Sequence, residues 1–386
     1  MQDYFSLVPW TGIYLRTDGN AYPCESVAWE GNNDYCVGNI KTHTFEEMWN
    51  HEVYRKMRLD VLRTKKCSID NELTNSCTYL QKRHLYNQDI DYYKNNTAED
   101  GFFRFNLKKI DLERSNICNL ACVYCNPTSS SSWAKKLKSP SLARIPDELY
   151  WERLEPVLPQ LEEIAFAGGE PVLDVFNEQI LDKLISLKRF INVNMSTNVT
   201  YDLEKRISMF KKLELFQARV FCSVDSWGKT FETIRENSNW DLVFNNLKQL
   251  KTMNFQLLYC ITISILNCFS LREYHEFLMK HNLADVDSIR YQPVCHPSWL
   301  SIRNLSDSKK KQLKYYFLMY IGFLRGLESK KGEDLNIWCN NKPVSEALTE
   351  LLTKYLYTKE GSDSYVEELL EKLNLEDSFL SSIKLR

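Results

Sequence analysis

The feature that most constrains this chain is one short run, Ser115-Asn116-Ile117-Cys118-Asn119-Leu120-Ala121-Cys122-Val123-Tyr124-Cys125-Asn126-Pro127. Its thiols are spaced C-x3-C-x2-C, and Tyr124 stands immediately before the last one. The alternating apolar run Phe102–Leu112 precedes it and predicts a strand. The run Ser129-Ser130-Ser131-Ser132-Trp133-Ala134-Lys135-Lys136 follows and predicts a helix start. The thiols therefore fall on a loop leaving the C-terminal end of a strand, where α/β folds place their chemistry. Three is the informative number. A closed structural metal site takes four protein ligands, whereas a reactive one keeps a position open. A four-iron cluster held by three cysteines likewise leaves one iron for another ligand. A zinc knuckle, or cysteines that simply fill a core, would use the same residues, and the triplet alone does not separate these readings.

This spacing, with its aromatic residue before the third cysteine, resembles the signature of the radical S-adenosylmethionine (SAM) superfamily. The resemblance implies that Cys118, Cys122 and Cys125 bind a 4Fe-4S cluster. It also implies that the amino and carboxylate groups of SAM take the open iron, with Tyr124 beside the cofactor.

The chain has 386 residues, room for two or three domains and a buried core. Its 49 basic and 51 acidic residues leave a net charge of -2, so no polyelectrolyte footprint points to nucleic acid. No run of about 18 apolar residues predicts a membrane span. The start, Met1-Gln2-Asp3-Tyr4-Phe5, has no basic region followed by an apolar one, so no signal peptide is expected. Twelve cysteines are too sparse for a secreted disulfide scaffold, and their grouping favours metal ligation in a reducing compartment, the cytoplasm.

In the N-terminal segment, Ile13 to Cys24 predicts a β-hairpin turning at Asp18-Gly19. Thr44 caps a helix that carries Glu46, Glu47, Met48, Trp49 and Val53. Cys24, Cys36, Cys67 and Cys77 match the ligand count of a second, fully coordinated cluster. Hairpin, helix and trailing cysteines resemble the auxiliary-cluster modules called SPASM and twitch domains, and four cysteines suit the one-cluster twitch type better. Such modules usually follow the barrel, whereas this one precedes it. Relatives also carry a cysteine before the Pro-Trp pair, where Tyr4-Phe5-Ser6 stands here, and a closer final pair than Cys67 and Cys77. A zinc site on the same four thiols, or unligated core cysteines, are the alternatives. The domain expectation is 1–84 for this module, 85–100 for a polar linker, 101–305 for the central domain and 306–386 for a helical C-terminal segment.

The central domain alternates predicted strands (Phe102–Leu112, Glu163–Phe166, Asn192–Met195, Ala218–Val224, Leu257–Ile265, Ser288–Gln292) with helices (Asp147–Leu158, Asn177–Leu187, Leu203–Lys212, Trp240–Lys251, Ser270–Lys280). Six βα units with right-handed crossovers predict an α/β partial (β/α)6 TIM-type barrel. Motifs sit at successive strand ends. Ala167-Gly168-Gly169-Glu170-Pro171 has glycines that let backbone approach a ligand. It resembles the GGE motif of the superfamily, which implies contact with the SAM amino group. Ser196-Thr197-Asn198 is similar to a polar pair near SAM in relatives. Ser223 and Asp225 match residues near the SAM ribose and carboxylate, Arg235 one that pairs with the carboxylate, and Asn267 one that contacts adenosine. Taken singly, each could be a turn, a helix cap or a surface ion pair. Their order along the strand ends supports the resemblance. Cys222 and Cys260, on predicted strands, read as core residues. Cys295, near the barrel mouth, reads as a loop residue.

Helical spacing over Lys309–Leu327, Val344–Tyr357 and Tyr365–Leu373 predicts a cap or a wall of a substrate cavity, with Asp307 or Ser308 as first cap. The resemblance implies reductive cleavage of SAM to a 5′-deoxyadenosyl radical that abstracts hydrogen from substrate. An external flavodoxin- or ferredoxin-like donor would supply the electron. Modules of this kind accompany oxidation, crosslinking or epimerisation of peptide or protein side chains. A small metabolite such as a sugar or nucleotide is the alternative substrate, and a non-catalytic iron–sulfur or zinc adaptor the alternative class.

Overall fold

The computed structural model describes residues 7–28, 33–64, 90–140, 142, 144–294, 296–332 and 343–356. Cys67, Cys77, Cys295, Cys339 and the expected helix Tyr365–Leu373 lie outside the described residues. The strands, in chain order, are β1 (Gly12–Leu15), β2 (Asn20–Tyr22), β3 (Gly38–Asn39), β4 (Lys109–Glu113), β5 (Ala121–Cys122), β6 (Glu163–Ala167), β7 (Asn192–Thr197), β8 (Gln217–Ser223), β9 (Arg235–Glu236), β10 (Gln256–Ile263) and β11 (Ile289–Pro293). Nine of them form one sheet in the order β11-β10-β8-β7-β6-β4-β1-β2-β3, and β5 pairs with β9 separately.

All six expected strands of the central domain are present, and β4, β6, β7, β8, β10 and β11 pair in parallel. Helices Asp147–Leu154, Val175–Ser186, Ile207–Leu213, Trp240–Leu250 and Leu271–Lys280 connect them. The sheet stays open, with β11 and β3 as its edges among the described residues, which suits a partial TIM-type barrel. The first strand begins at Lys109, not at Phe102. The backbone of Phe103 is spent on a side chain instead of a ladder: its N–H donates to Asn50 Oδ1 and its carbonyl accepts from Asn50 Nδ2, both at 3.1 Å.

Alternation sorts the sheet into two faces. Ile110, Leu112, Ile164, Phe166, Val193, Met195, Val220, Cys222, Ile261 and Ile263 join the main hydrophobic core with the helices. Lys109, Asp111, Glu113, Ala165, Asn194, Arg219, Ser223 and Cys260 alternate with them and line the concave lumen. Cys222 is thus a core residue as expected. Cys260 is not: it is half-buried on the lumen face.

The N-terminal segment is continuous with this sheet. Its strand β1 pairs in parallel with β4, Tyr14 opposite Asp111, and the hairpin to β2 turns at Gly19 with φ +86°. A Cβ at Gly19 would lie 2.7 Å from the tip of the Ile145 side chain of the central domain, which could shift, so it is the positive φ that calls for glycine there. Thr44 caps Phe45–Trp49 through a full capping box with Glu47. The fully buried Arg58 of helix Glu52–Thr64 donates to the carbonyls of Pro9, Trp49 and Gly101 and to Asn50 Oδ1. Within the stretch expected as a linker, Ile90–Asn96 is helical. Tyr93 is 1% exposed against Trp10, whose indole donates to Thr97 at 2.9 Å.

At the other end, helix Asp307–Lys331 is capped by Ser306, one residue before the expected cap. Ser345, in helix Val344–Leu356, donates to its Glu328. Tyr320 ties it to the barrel through His275 (2.7 Å) and Tyr291 (2.5 Å). No described helix is long and apolar enough to cross a membrane.

Candidate functional site

The cysteine loop lies across the C-terminal ends of the parallel strands, held from four sides. At its base the buried Arg114 places Nη1 2.7 Å from both Asp174 oxygens and stacks 4.2 Å over Phe176, while Ser115 Oγ donates to Asp174 Oδ2 at 2.7 Å. Asp174 also caps helix Val175–Ser186, so the start of the loop is fixed to the second βα unit.

Beyond the loop, the serine run becomes the start of helix Ser131–Lys136. Ser130 Oγ donates to the Leu120 carbonyl at 2.6 Å and caps the helix by accepting from Trp133 N–H. Cys118 N–H donates to Ser131 Oγ at 3.0 Å, Ser132 Oγ donates to the Cys118 carbonyl at 2.8 Å, and the Trp133 indole donates to the Cys122 carbonyl at 2.8 Å. The serines thus satisfy loop carbonyls and amides that have no ladder to join. Read in sequence, they announced only a helix start.

Gly168 and Gly169 are explained by this loop. Gly168 has φ +108°, and a Cβ on it would lie 2.8 Å from the Ser115 carbonyl oxygen. On Gly169 a Cβ would lie 2.3 Å from the Ile117 carbonyl oxygen. Gly169 N–H donates to Ser115 O at 3.0 Å and Glu170 N–H to Ile117 O at 2.6 Å. The close approach that sequence assigned to a ligand is here an approach of two loops.

Glu170 is 2% exposed. Its carboxylate accepts from Asn198 N–H at 2.6 Å and Val172 N–H at 3.3 Å, and burial pushes its pKa up to about 7. Asn198 Nδ2 reaches Asn119 Oδ1 at 2.9 Å and the Cys118 sulfur at 3.8 Å. Thr197 is hydrogen-bonded to Tyr201 at 2.9 Å. Of these three expected residues, Asn198 reaches the first cysteine directly and Glu170 reaches it through Asn198.

On the far side, β5 pairs with β9, Cys122 opposite Arg235. Arg235 Nη1 lies 3.8 Å from the Cys122 sulfur, Nε donates to Asp225 at 2.8 Å, and the guanidinium stands 5.6 Å over the Tyr124 ring. Asp225, fully buried, also accepts from Tyr124 OH and from Thr262 N–H at 2.7 Å. Asn267 Nδ2 donates to the carbonyls of Asp225 (3.0 Å) and Thr262 (2.9 Å), while its Oδ1 accepts from Ser264 N–H at 2.8 Å. The amide is committed to holding the ends of β8 and β10 together. Ser223 is half-buried on the lumen face, level with Cys260.

The donor chemistry fits a thiolate-bound cluster with a charged ligand. Burial pushes the Cys122 thiol up to about 12 and Cys125 up to about 11, and raises Cys118. Such thiols lose their protons to a bound metal centre. Arg235 favours the thiolate of Cys122 and Glu170 offers a buried carboxylate to an ammonium group. In the N-terminal segment, Cys24 and the half-buried Cys36 share one small apolar cluster with Tyr14, Tyr22, Val27, Ala28 and Met57. That places two of the four expected auxiliary ligands together. Among the described residues no three His, Cys, Asp or Glu side chains converge closely enough to hold a single metal ion.

Three thiols over the strand ends of an open parallel α/β sheet make this loop a candidate metal centre. Residues 112–278 match the model of the radical SAM superfamily, and residues 7–78 match SPASM, an iron-sulfur cluster-binding domain. The chain thus carries a radical SAM domain with a SPASM domain N-terminal to it. These domains imply a 4Fe-4S cluster with SAM and auxiliary iron–sulfur ligation. No curated protein matches the chain. Among solved structures it is similar to native anSMEcpe with bound AdoMet, at 18% identity and TM-score 0.44, over 57% of this chain and 62% of that one. It is also similar to Streptococcus suis SuiB bound to precursor peptide SuiA, at 12% identity and TM-score 0.43, over 83% and 71%. The chain spans under two thirds of the first of these structures.

Proposed function

We propose that Cys118, Cys122 and Cys125 hold a 4Fe-4S cluster whose open iron takes SAM. The enzyme then acts on a peptide or protein side chain in the lumen, by oxidation, crosslinking or epimerisation. When bound, cluster and SAM supply reductive cleavage of SAM to a 5′-deoxyadenosyl radical and hydrogen abstraction from substrate. An external flavodoxin- or ferredoxin-like donor delivers the electron.

The chain's own residues bind and orient. Glu170 receives the SAM amino group. Arg235, held by Asp225 and Tyr124, sets the charge beside Cys122 and would pair with the SAM carboxylate. The core behind the strands and the packed loop above them keep water from the reacting centre. Cys24, Cys36, Cys67 and Cys77 serve the auxiliary ligation. The peptide class rests on the SPASM domain, whose β1 extends the barrel sheet.

One observation carries the reading: Glu170, Asn198, Asn119 and Cys118 form a single hydrogen-bonded chain joining the cysteine loop to two other strand ends. The test is anaerobic reconstitution with dithionite and SAM. 5′-Deoxyadenosine should form, and should vanish in Cys118→Ala/Cys122→Ala/Cys125→Ala. That variant should keep the iron of the N-terminal domain. No 5′-deoxyadenosine from the wild type would support a redox adaptor instead.

A further inference from the structure

The lumen face carries a pattern to which the proposed function assigns no role. Strand register puts Tyr14, Asp111, Ala165, Asn194 and Arg219 in one row. Glu113 and Ala167 stand opposite each other in the next row toward the loops. The lumen column of β6 is therefore Ala165 and Ala167, with Gly169 beyond. Neighbouring strands stand about 4.8 Å apart, so Asp111 and Asn194 are roughly 10 Å apart with only a methyl group between them. The result is a slot running down β6 from the glycine loop, walled by Asp111 and Glu113 on one side and Asn194 on the other.

The floor of the slot is neutral. Lys109 Nζ lies 3.1 Å from Asp111 and 3.2 Å from Glu163, and Arg219 lies 3.4 Å from Glu163. Above it the polar groups are acceptors. Asn194 Nδ2 donates to Glu163 Oε1 at 3.0 Å. A carboxylate flanked by two cations accepts, so the orientation of the amide is fixed and Oδ1 is its other end. That oxygen is buried and has no partner, in a residue 8% exposed. An unpaired buried carbonyl leaves its desolvation uncompensated, which a ligand donor would recover. Glu113 is 9% exposed and hydrogen-bonded to Tyr14. Burial holds it up to about 7, so it gains its charge when a cation comes beside it.

We infer that this slot receives an amine- or guanidine-tipped side chain of the substrate, a lysine or arginine, with Glu113 and the Asn194 carbonyl as its acceptors. This rests on the peptide reading above. The alanine column accommodates the aliphatic stem while the tip meets the acceptors. An apolar side chain would leave Asn194 unpaired, and an acidic one would face the Glu113 carboxyl.

The test uses the full reconstituted chain with SAM and no reductant. Binding is measured for capped Gly-Gly-X-Gly-Gly peptides with X as lysine, arginine, glutamate or norleucine. The lysine and arginine peptides should bind at least tenfold more tightly than the other two. Glu113→Gln should erase most of that preference. Ala167→Leu, which fills the slot and leaves every charge in place, should weaken both basic peptides at least tenfold. Equal affinity for the four, a preference for glutamate or norleucine, or no measurable binding of the basic peptides overturns the slot. If 5′-deoxyadenosine forms in the parallel dithionite assay but the preference is missing, only the slot is lost. If none forms, the enzymatic reading falls and the slot's role with it.

Discussion

Cys122 and Arg235 are register partners in a two-stranded ladder, and the guanidinium lies 3.8 Å from the sulfur. Backbone pairing therefore delivers a buried cation to a thiol that burial alone would keep protonated. Asp225 holds the same cation from below.

Replacing Arg235 with Met should leave Asp225 with only Tyr124 OH and Thr262 N–H as partners. Removing one member of a buried ion pair costs about 3–5 kcal/mol. Urea denaturation of the metal-free protein should show a loss of that size. A loss below about 1 kcal/mol would mean that the pair does not stabilise the fold as described.

Gly169→Ala should displace the cysteine loop, because the new Cβ would sit 2.3 Å from the Ile117 carbonyl oxygen and the obstacle is backbone. Iron analysis after reconstitution should show loss of the iron held by Cys118, Cys122 and Cys125, with the N-terminal iron retained and far-UV circular dichroism unchanged. Full iron content would show that the two loops are free to separate.

His275 is fully buried and hydrogen-bonded to Tyr320, and burial lowers its pKa from 6.5 to about 4. Between those values the unfolded chain binds a proton that the folded chain refuses. The contribution is complete above pH 6.5 and is lost as pH falls toward 4, roughly 3 kcal/mol in all. Glu113 and Glu170 act in the opposite sense, so the informative quantity is the difference between wild type and His275→Gln. From pH 7 to 4.5 that difference should shift against the wild type. A constant difference would contradict the burial of a neutral imidazole.

Tyr93→Ala tests whether the segment before the barrel belongs to the core. Its ring packs 5.4 Å from Trp10 and 5.9 Å from Phe103. Truncating a buried aromatic residue costs about 3–5 kcal/mol. A tether would tolerate the change, and thermal unfolding distinguishes the two.

Much of the architecture was legible because its signals are local. Alternation of apolar residues located all six central strands, and helical spacing located the five helices between them within a few residues. The cysteine spacing and the Gly-Gly-Glu, Thr-Asn and Ser-x-Asp motifs were visible as strings, each at a strand end. Phe103 failed as strand because a side chain, Asn50, took the backbone bonds that alternation had reserved for a neighbour.

What the string of residues determined by itself was the sequence of βα units and the presence of three thiols with room for a fourth ligand. Only the tertiary structure decided who meets whom. Arg114 finds Asp174 across 60 residues and Arg235 finds Cys122 across 113. The N-terminal hairpin becomes part of the barrel sheet, and the glycines serve one loop packing on another. Periodicity is written in neighbours three or two residues apart, whereas register, burial and the partners of a buried charge are set only when distant strands come side by side.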